Sequence, residues 1–321
     1  MLEIRDLRVH IDGHEIVHID ELDLPRGTRL GLVGESGSGK TMTAKAIAGL
    51  LPAVAKASGT VRFDGRNLVG LDDGEFSKIR GKRIGFIFQD PARSLNPVMR
   101  VGRQVSEAIR LHTDIKGRAV TDKVVELLKQ VHLPDPAALL RRYPHQLSGG
   151  QQQRVMIAAA IAADPELLIA DEPTTALDVT VQHEILRLLI SLTEQREMSV
   201  LFVSHDLGVV RYVCDRVAVV YGGQVVESGR IDDVVQRPRH RYTTALLAAS
   251  PGMPKDDDLE SFIGQRLQTI DGFVPAVGRF PSGCRFRNRC AHETATCAES
   301  PAVVTNGDGH RFRCWNPAQE G

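Results

Sequence analysis

The sequence carries no surplus of either charge. Forty Lys and Arg balance forty Asp and Glu across 321 residues, so the basic excess expected of a dedicated nucleic-acid binder is missing and no nucleic-acid partner is expected. Nor does any stretch approach the ~18 uninterrupted apolar residues of a membrane-spanning helix. The opening M-L-E-I-R-D-L sets charge where a secretory signal needs its apolar core, which points to the cytosol and leaves any membrane role to a partner. Cysteine is scarce, at five, and the chain shows no internal repeat and no low-complexity tract. What is present, 42% hydrophobic and 25% charged residues, is the composition of an ordinary globular protein. The length suits one large domain with an appendage, or two domains.

The most informative segment is G-E-S-G-S-G-K-T, from Gly34 through Glu35, Ser36, Gly37, Ser38, Gly39 and Lys40 to Thr41. It fits the phosphate-cradling pattern G-x-x-x-x-G-K-[ST] at every position. The apolar run 30–33 before it suits a buried strand, and the stretch from Met42 to Leu51 places Ala44, Ile47, Ala48 and Leu51 on one side of a helix. A strand, a glycine-rich turn and a helix N-terminus form an anion site, because unpaired N–H groups and the positive dipole end face the ligand. Gly34, Gly37 and Gly39 allow close approach of backbone to phosphate, Lys40 would reach the β- and γ-phosphates, and the Thr41 hydroxyl would hold Mg²⁺. The alternative is a glycine-rich turn without a ligand.

Around this loop the pattern is α/β. Residues 1–33 alternate as strands of a half-exposed sheet, S-G-T-V-R-F-D-G-R-N-L reads as a strand pair closed by Asp64-Gly65, and K-R-I-G-F-I-F-Q-D-P runs into the interior and stops at Pro91. From about 93 to 150 the apolar spacing becomes helical; from 155 helix and strand alternate, which indicates a mostly parallel sheet covered on both faces. Beyond about 236 regularity fades: P-R-H-R-Y-T-T-A-L-L-A-A suggests one more helix, M-P-K-D-D-D-L-E a polar linker, and 270–321 an irregular tail.

Further segments carry chemistry. L-L-I-A-D-E is an apolar strand ending in Asp171 and Glu172. A carboxylate at the end of a buried strand needs a cation nearby, so Asp171 would hold Mg²⁺ and Glu172 would polarise a water for attack on the γ-phosphate; the bland reading is a solvent-facing strand end. L-S-G-G-Q, with Ser148, Gly149, Gly150 and Gln151, puts two glycines just before a helix. That is a second anion-binding terminus, explained by a facing copy of the protein, or else a plain helix cap by Ser148. His205 and Gln89 each emerge from an apolar strand, and Asp178 closes the turn T-A-L-D.

With phosphate loop, glutamine loop, L-S-G-G-Q, acidic strand, T-A-L-D turn and strand-end histidine all in order over about residues 1–235, the chain resembles the ATP-binding-cassette ATPases. The resemblance implies a P-loop α/β core with a mostly parallel sheet, an antiparallel β subdomain, a helical subdomain at about 93–155 and an extension at 236–321. It also implies a head-to-tail dimer that sandwiches two ATP molecules, with catalytic roles for Glu172, His205 and Gln89, and Mg²⁺ held by Thr41, Gln89 and Asp171. Ser148, Gly149, Gly150, Gln151 and Asp178 would contact the nucleotide bound to the partner copy. Ile11 stands where the family usually stacks adenine on an aromatic, so base contact should be apolar packing without stacking.

Four of the five cysteines, Cys284, Cys290, Cys297 and Cys314, crowd the tail with spacing C-x5-C-x6-C-x16-C. In a cytosolic chain this favours a metal or cluster over disulfides. An iron–sulfur cluster, zinc and unliganded thiols are the three readings, and the absence of C-x2-C makes a zinc ribbon a poor fit. Arg285, Arg287, Arg289, Arg311 and Arg313 are expected to offset the negative charge of such a thiolate site, and Cys214 reads as ordinary core. F-Q-D-P-A-R-S-L-N-P, R-P-R-H-R-Y-T-T-A-L-L-A-A-S-P and G-C-R-F-R-N-R-C are similar to the peptide-importing subfamily, some relatives of which carry nickel. That resemblance implies a [4Fe-4S] tail, two permease subunits, a second and different ATPase subunit, an extracytoplasmic solute-binding protein, and residence on the cytoplasmic face of the membrane. The rival from another class is a soluble cassette ATPase acting on ribosomes or nucleic acid.

Overall fold

The alternation in the first residues becomes a hairpin of β1 (Leu2–Ile11) and β2 (His14–Leu24). Leu2, Ile4, Leu7 and Val9 stand opposite Leu24, Leu22, Ile19 and Val17, and all eight are buried. Because side chains alternate with period two, a one-residue slip would turn this whole set to solvent, so the pattern fixes the register. Burial is worth roughly 1.5–3 kcal/mol per side chain of this kind. After β3 (Arg29–Val33) and α1 (Lys40–Ala48), β4 (Ala55–Phe63) pairs with the free edge of β1, and β5 (Arg66–Asn67) pairs with β4 across the Asp64-Gly65 turn.

In this computed structural model, which describes residues 1–175, 177–250 and 269–319, these elements belong to one of two units, Met1–Gly70 together with Phe202–Gly321. The linker segment M-P-K-D-D-D-L-E lies outside the described residues.

The other unit, Leu71–Leu201, contains α2 (Asp73–Ser77), β6 (Ile84–Ile87), α3 (Pro91–Ser94), α4 (Val101–His112), α5 (Arg118–Gln130), α6 (Pro136–Leu139), α7 (Gly149–Ala160), β7 (Leu167–Asp171) and α8 (Val179–Gln195). The helical spacing in the sequence has its cause here: α4 buries Val101, Val105 and Ile109, α5 buries Val120, Val124, Leu127 and Leu128, and α4 packs on both α5 and α7. The strands β6 and β7 run parallel, and every residue of β7 is buried, as a strand covered on both faces requires.

The chain leaves this unit along β8 (Ser199–Ser204) and completes the first with α9 (Leu207–Val213), β9 (Arg216–Tyr221), β10 (Gln224–Arg230), α10 (Ile231–Gln236), α11 (Arg241–Ala249), β11 (Val304–Thr305) and β12 (Arg311–Phe312). β3 pairs parallel with β9, whereas β10, β12 and β11 add antiparallel strands in that order. The helix expected near residue 240 is α11.

The tail is fastened by charge and by one buried carboxylate. Glu227 of β10 is 1% exposed. It accepts the N–H groups of Arg239 (2.7 Å) and His240 (2.8 Å) and the imidazole Nε2 of His310 (2.7 Å). The tail arginines do not gather round the cysteines as expected. Arg285 pairs with Glu15 (2.8 Å), Arg289 with Glu35 (2.8 Å), Arg311 with Glu21 (2.7 Å), Arg313 with Asp20, and Arg287 lies 3.9 Å from Glu293. The hairpin and the loop after β3 present carboxylates, and a guanidinium gains more from a carboxylate partner than from a distant thiol.

Candidate functional site

Between β3 and α1 the backbone turns through Gly34 to Thr41. A Cβ on Gly34 would lie 2.1 Å from the Val220 carbonyl oxygen, so β9 demands glycine there before any ligand does. Gly39 precedes α1 in a left-handed conformation, φ 97°, and the helix starts without a side-chain cap, which leaves its positive dipole end to an anion. Lys40 is 4% exposed. Its ammonium donates to the carbonyls of Gly34 (2.7 Å) and Glu35 (2.9 Å) and to the Ser38 hydroxyl (3.3 Å), partners without which a buried ammonium is costly. Ser38 is buried, Ser36 and Gly37 form the exposed tip, and Thr41 and Met42 are half-buried.

Glu35 is held from two sides. Its N–H donates to the Tyr242 hydroxyl at 2.8 Å, and its carboxylate takes both terminal nitrogens of Arg289 at 2.8 and 3.0 Å. Burial opposes the Arg289 charge, but the bonds to Glu35 and Tyr221 outweigh it and hold the guanidinium above its usual range. His205, just past β8, is exposed, and Asp206 beside it caps α9 by accepting the Gly208 N–H at 2.7 Å. Ile11 is half-buried at the end of β1.

In the other unit, β7 ends in buried Asp171, 3% exposed, and then Glu172 at φ 46°. A left-handed non-glycine residue costs of order 1–3 kcal/mol, and the bonds to its side chain offset this. The Gln89 amide donates to Glu172 Oε2 at 2.9 Å and the Thr175 hydroxyl to the same oxygen at 3.0 Å. Gln89 and Glu172, read separately in the sequence, are therefore in contact.

At α7, Gly149 and Gly150 are the first helical residues rather than a turn before the helix. Ser148 Oγ accepts the Gln151 N–H at 3.3 Å while Gln151 Oε1 accepts the Ser148 N–H at 3.2 Å, a reciprocal cap. A Cβ on Gly150 would lie 3.0 Å from Val181, whose N–H donates to Asp178 Oδ1 at 2.9 Å. Ser148, Gly149, Gly150 and Gln151 thus sit together with Asp178 at the starts of two helices.

Cys214 is core, with its thiol pushed far up by burial. Among the tail cysteines, burial and then the three other thiols push Cys284 up to about 11; burial likewise raises Cys290, aided by Cys314 and Cys297, and Cys314, aided by Cys297. Donors oppose this. Backbone N–H groups of Phe286, His292 and Asn316 reach Cys284, Cys290 and Cys314, and the Arg241 N–H and charge favour ionised Cys314. Thr294 Oγ1 and Asn316 Nδ2 lie 3.6 and 3.9 Å from Cys297 Sγ. Among the described residues no group of three or more His, Cys, Asp or Glu is arranged to hold a metal ion.

Comparison with known proteins decides the family. Residues 17–175 match the ABC transporter family and residues 226–297 the family described as oligopeptide/dipeptide transporter, C-terminal region. The chain is 46% identical over 320 residues to a Brucella abortus protein named as a peptide import ATP-binding protein, covering 98% of this chain and 94% of that one. It is 41% identical to the oligopeptide transport ATP-binding protein OppD of Salmonella typhimurium, covering 100% and 95%. The chain belongs to the ATP-binding subunits of ABC transporters.

As an ABC ATPase, it shares its fold with the ATP-binding cassette MJ0796, solved as a dimer in a post-hydrolysis state bound to ADP and Pi, at TM-score 0.65 and 31% identity over 72% of this chain and 99% of that one. No helix among the described residues of this ABC subunit is long and apolar enough to cross a membrane. Three contributors to the ABC subunit's loops escaped the sequence reading: Thr175 on Glu172, and Tyr242 and Arg289 on Glu35. Thr175 lay three residues from Glu172, within reach of a local rule; the other two are pairings over 207 and 254 positions, for which the sequence holds no signal.

Proposed function

We propose that this ABC subunit hydrolyses ATP to drive uptake of dipeptides or oligopeptides through a membrane importer. In this reading a cassette of about residues 1–235 carries the chemistry and 236–321 is an appended module. The match of the tail to the oligopeptide/dipeptide family, together with full-length similarity to peptide-import subunits, is the observation that carries the assignment of solute. The partners are two integral permeases, a second ATPase subunit in a head-to-tail dimer, and indirectly an extracytoplasmic binding protein, with this subunit peripheral on the cytoplasmic face.

Lys40 exchanges its carbonyl partners for β- and γ-phosphate oxygens, and the amides from Gly34 to Met42 hold the rest of the triphosphate. Ile11 packs on the base. Thr41, Gln89 and Asp171 would hold Mg²⁺, which when bound neutralises charge developing on the phosphates. Glu172 accepts a proton from the attacking water, kept on station by Gln89 and Thr175, and His205 contacts the γ-phosphate. Ser148, Gly149, Gly150, Gln151 and Asp178 close on the nucleotide of the facing subunit.

Lys40→Ala will weaken ATP binding by about 10–100-fold, from the loss of charge-assisted bonds worth about 1.5–3 kcal/mol, measured by equilibrium titration with a fluorescent ATP analogue. Reconstituted with its permeases and binding protein, the native subunit will support ATP-dependent uptake of labelled peptide and the variant will not. Uptake of nickel but not of peptide by that assembly overturns the assignment of solute.

Cys284, Cys290, Cys297 and Cys314 would hold a [4Fe-4S] cluster, which supplies a thiolate-bound iron centre with a structural role in the tail. The N–H and hydroxyl donors around the sulfurs support this, since they stabilise thiolates that burial disfavours. Anaerobically purified protein will contain iron and acid-labile sulfide in equal amounts, and Cys290→Ser will lose most of both. Stoichiometric zinc without sulfide overturns the assignment.

A further inference from the structure

The tail's most buried guanidinium reaches the phosphate loop. Arg289, with a side chain 6% exposed, immediately precedes Cys290 and is seated by its own module: its nitrogens donate to the carbonyls of Ile270 (3.4 Å), Asp271 (2.8 Å) and Gly272 (3.3 Å). It lies over the rings of Tyr221 and Phe286, 5.8 and 5.9 Å from their centroids. From this seat it takes both oxygens of Glu35 in a two-pronged pair, a geometry that Lys cannot reproduce.

Glu35 is the second residue of the loop that receives triphosphate. A carboxylate there adds a negative charge beside an incoming polyanion, and like charges a few ångströms apart repel more strongly at the reduced effective dielectric of a protein surface than in bulk water. Arg289 cancels that charge and fixes the side chain that carries it.

We propose that Arg289 is a positioning residue for the nucleotide site: by neutralising and holding Glu35 it makes tight ATP binding conditional on the cysteine-bearing tail being seated on the cassette. This rests on the reading of the Gly34–Thr41 loop as the ATP site and adds the tail as part of that site's electrostatics.

The test uses full-length protein and titration with a fluorescent ATP analogue. R289Q is expected to raise the Kd about tenfold while kcat at saturating ATP stays within about twofold of the native value, because the catalytic residues are untouched. The decisive variant is E35Q combined with R289Q. Removing both charges is expected to restore the Kd to within about threefold of native, which a mere anchor for the tail would not do. Should R289Q fail to fold, judged by its thermal melt, R289K carries the test with an expected threefold rise in Kd. A Kd for R289Q (or R289K in its place) equal to native overturns the proposal, and so does a double variant as weak as R289Q. Failure of the underlying reading looks different: native protein would then bind no nucleotide, or would bind it as well after Lys40→Ala.

Discussion

Glu172→Gln will bind ATP with near-native affinity and hydrolyse it about 10²–10⁴-fold more slowly, the range for removal of a positioned general base. The substitution is nearly isosteric, and the carbonyl oxygen of glutamine still accepts from the Gln89 amide and the Thr175 hydroxyl, which hold the native carboxylate at 2.9 and 3.0 Å. The left-handed turn at φ 46° therefore survives, and only the ability to take a proton is lost. Separate measurement of nucleotide binding and steady-state phosphate release distinguishes this from general damage. Hydrolysis at the native rate means that another group is the base; loss of binding together with turnover means that Glu172 shapes the site rather than serving it.

The second large effect concerns stability. Glu227→Ala will destabilise the protein by about 3–5 kcal/mol, because each buried donor left without an acceptor costs about 1–3 kcal/mol. Alanine leaves two backbone amides and the His310 imidazole without their acceptor in a place where Glu227 is 1% and His310 2% exposed. Glu227→Gln, which keeps one acceptor oxygen, falls between. Urea denaturation reads the difference as a lower midpoint, and limited proteolysis should cut first in 269–319, because His310 brings that segment to β10. A midpoint shift worth under about 1 kcal/mol for the alanine variant would mean that water enters and satisfies the orphaned groups.

The two kinds of knowledge in this chain were unequally visible. The phosphate loop, the reciprocal cap at Ser148 and Gln151, the hairpin register and the helices α4 and α5 all follow from rules acting within a few residues, and a sequence displays those directly. The contact between Gln89 and Glu172 spans 83 positions, yet it was approachable because each residue ends an apolar strand and parallel neighbours bring such ends together. The tail was the opposite case. Five arginines within three positions of a cysteine looked like counter-charges to thiolates, but nearness in sequence says nothing of direction. Arg311 and Arg313, two apart around β12, project to one side and meet Glu21 and Asp20. Arg285 and Arg289 likewise turn to carboxylates about 270 and 254 positions earlier.

That last separation bears on how the protein is born. A ribosome delivers the chain from its N-terminus, and domains generally fold in that order, so Glu35 leaves the ribosome long before its cationic counterpart has been translated. On the role proposed for Arg289, the phosphate loop of a nascent cassette is electrostatically unfinished until the tail emerges. A prematurely terminated polypeptide would be left with a weakened grip on fuel, and so poorly able to burn it to no purpose.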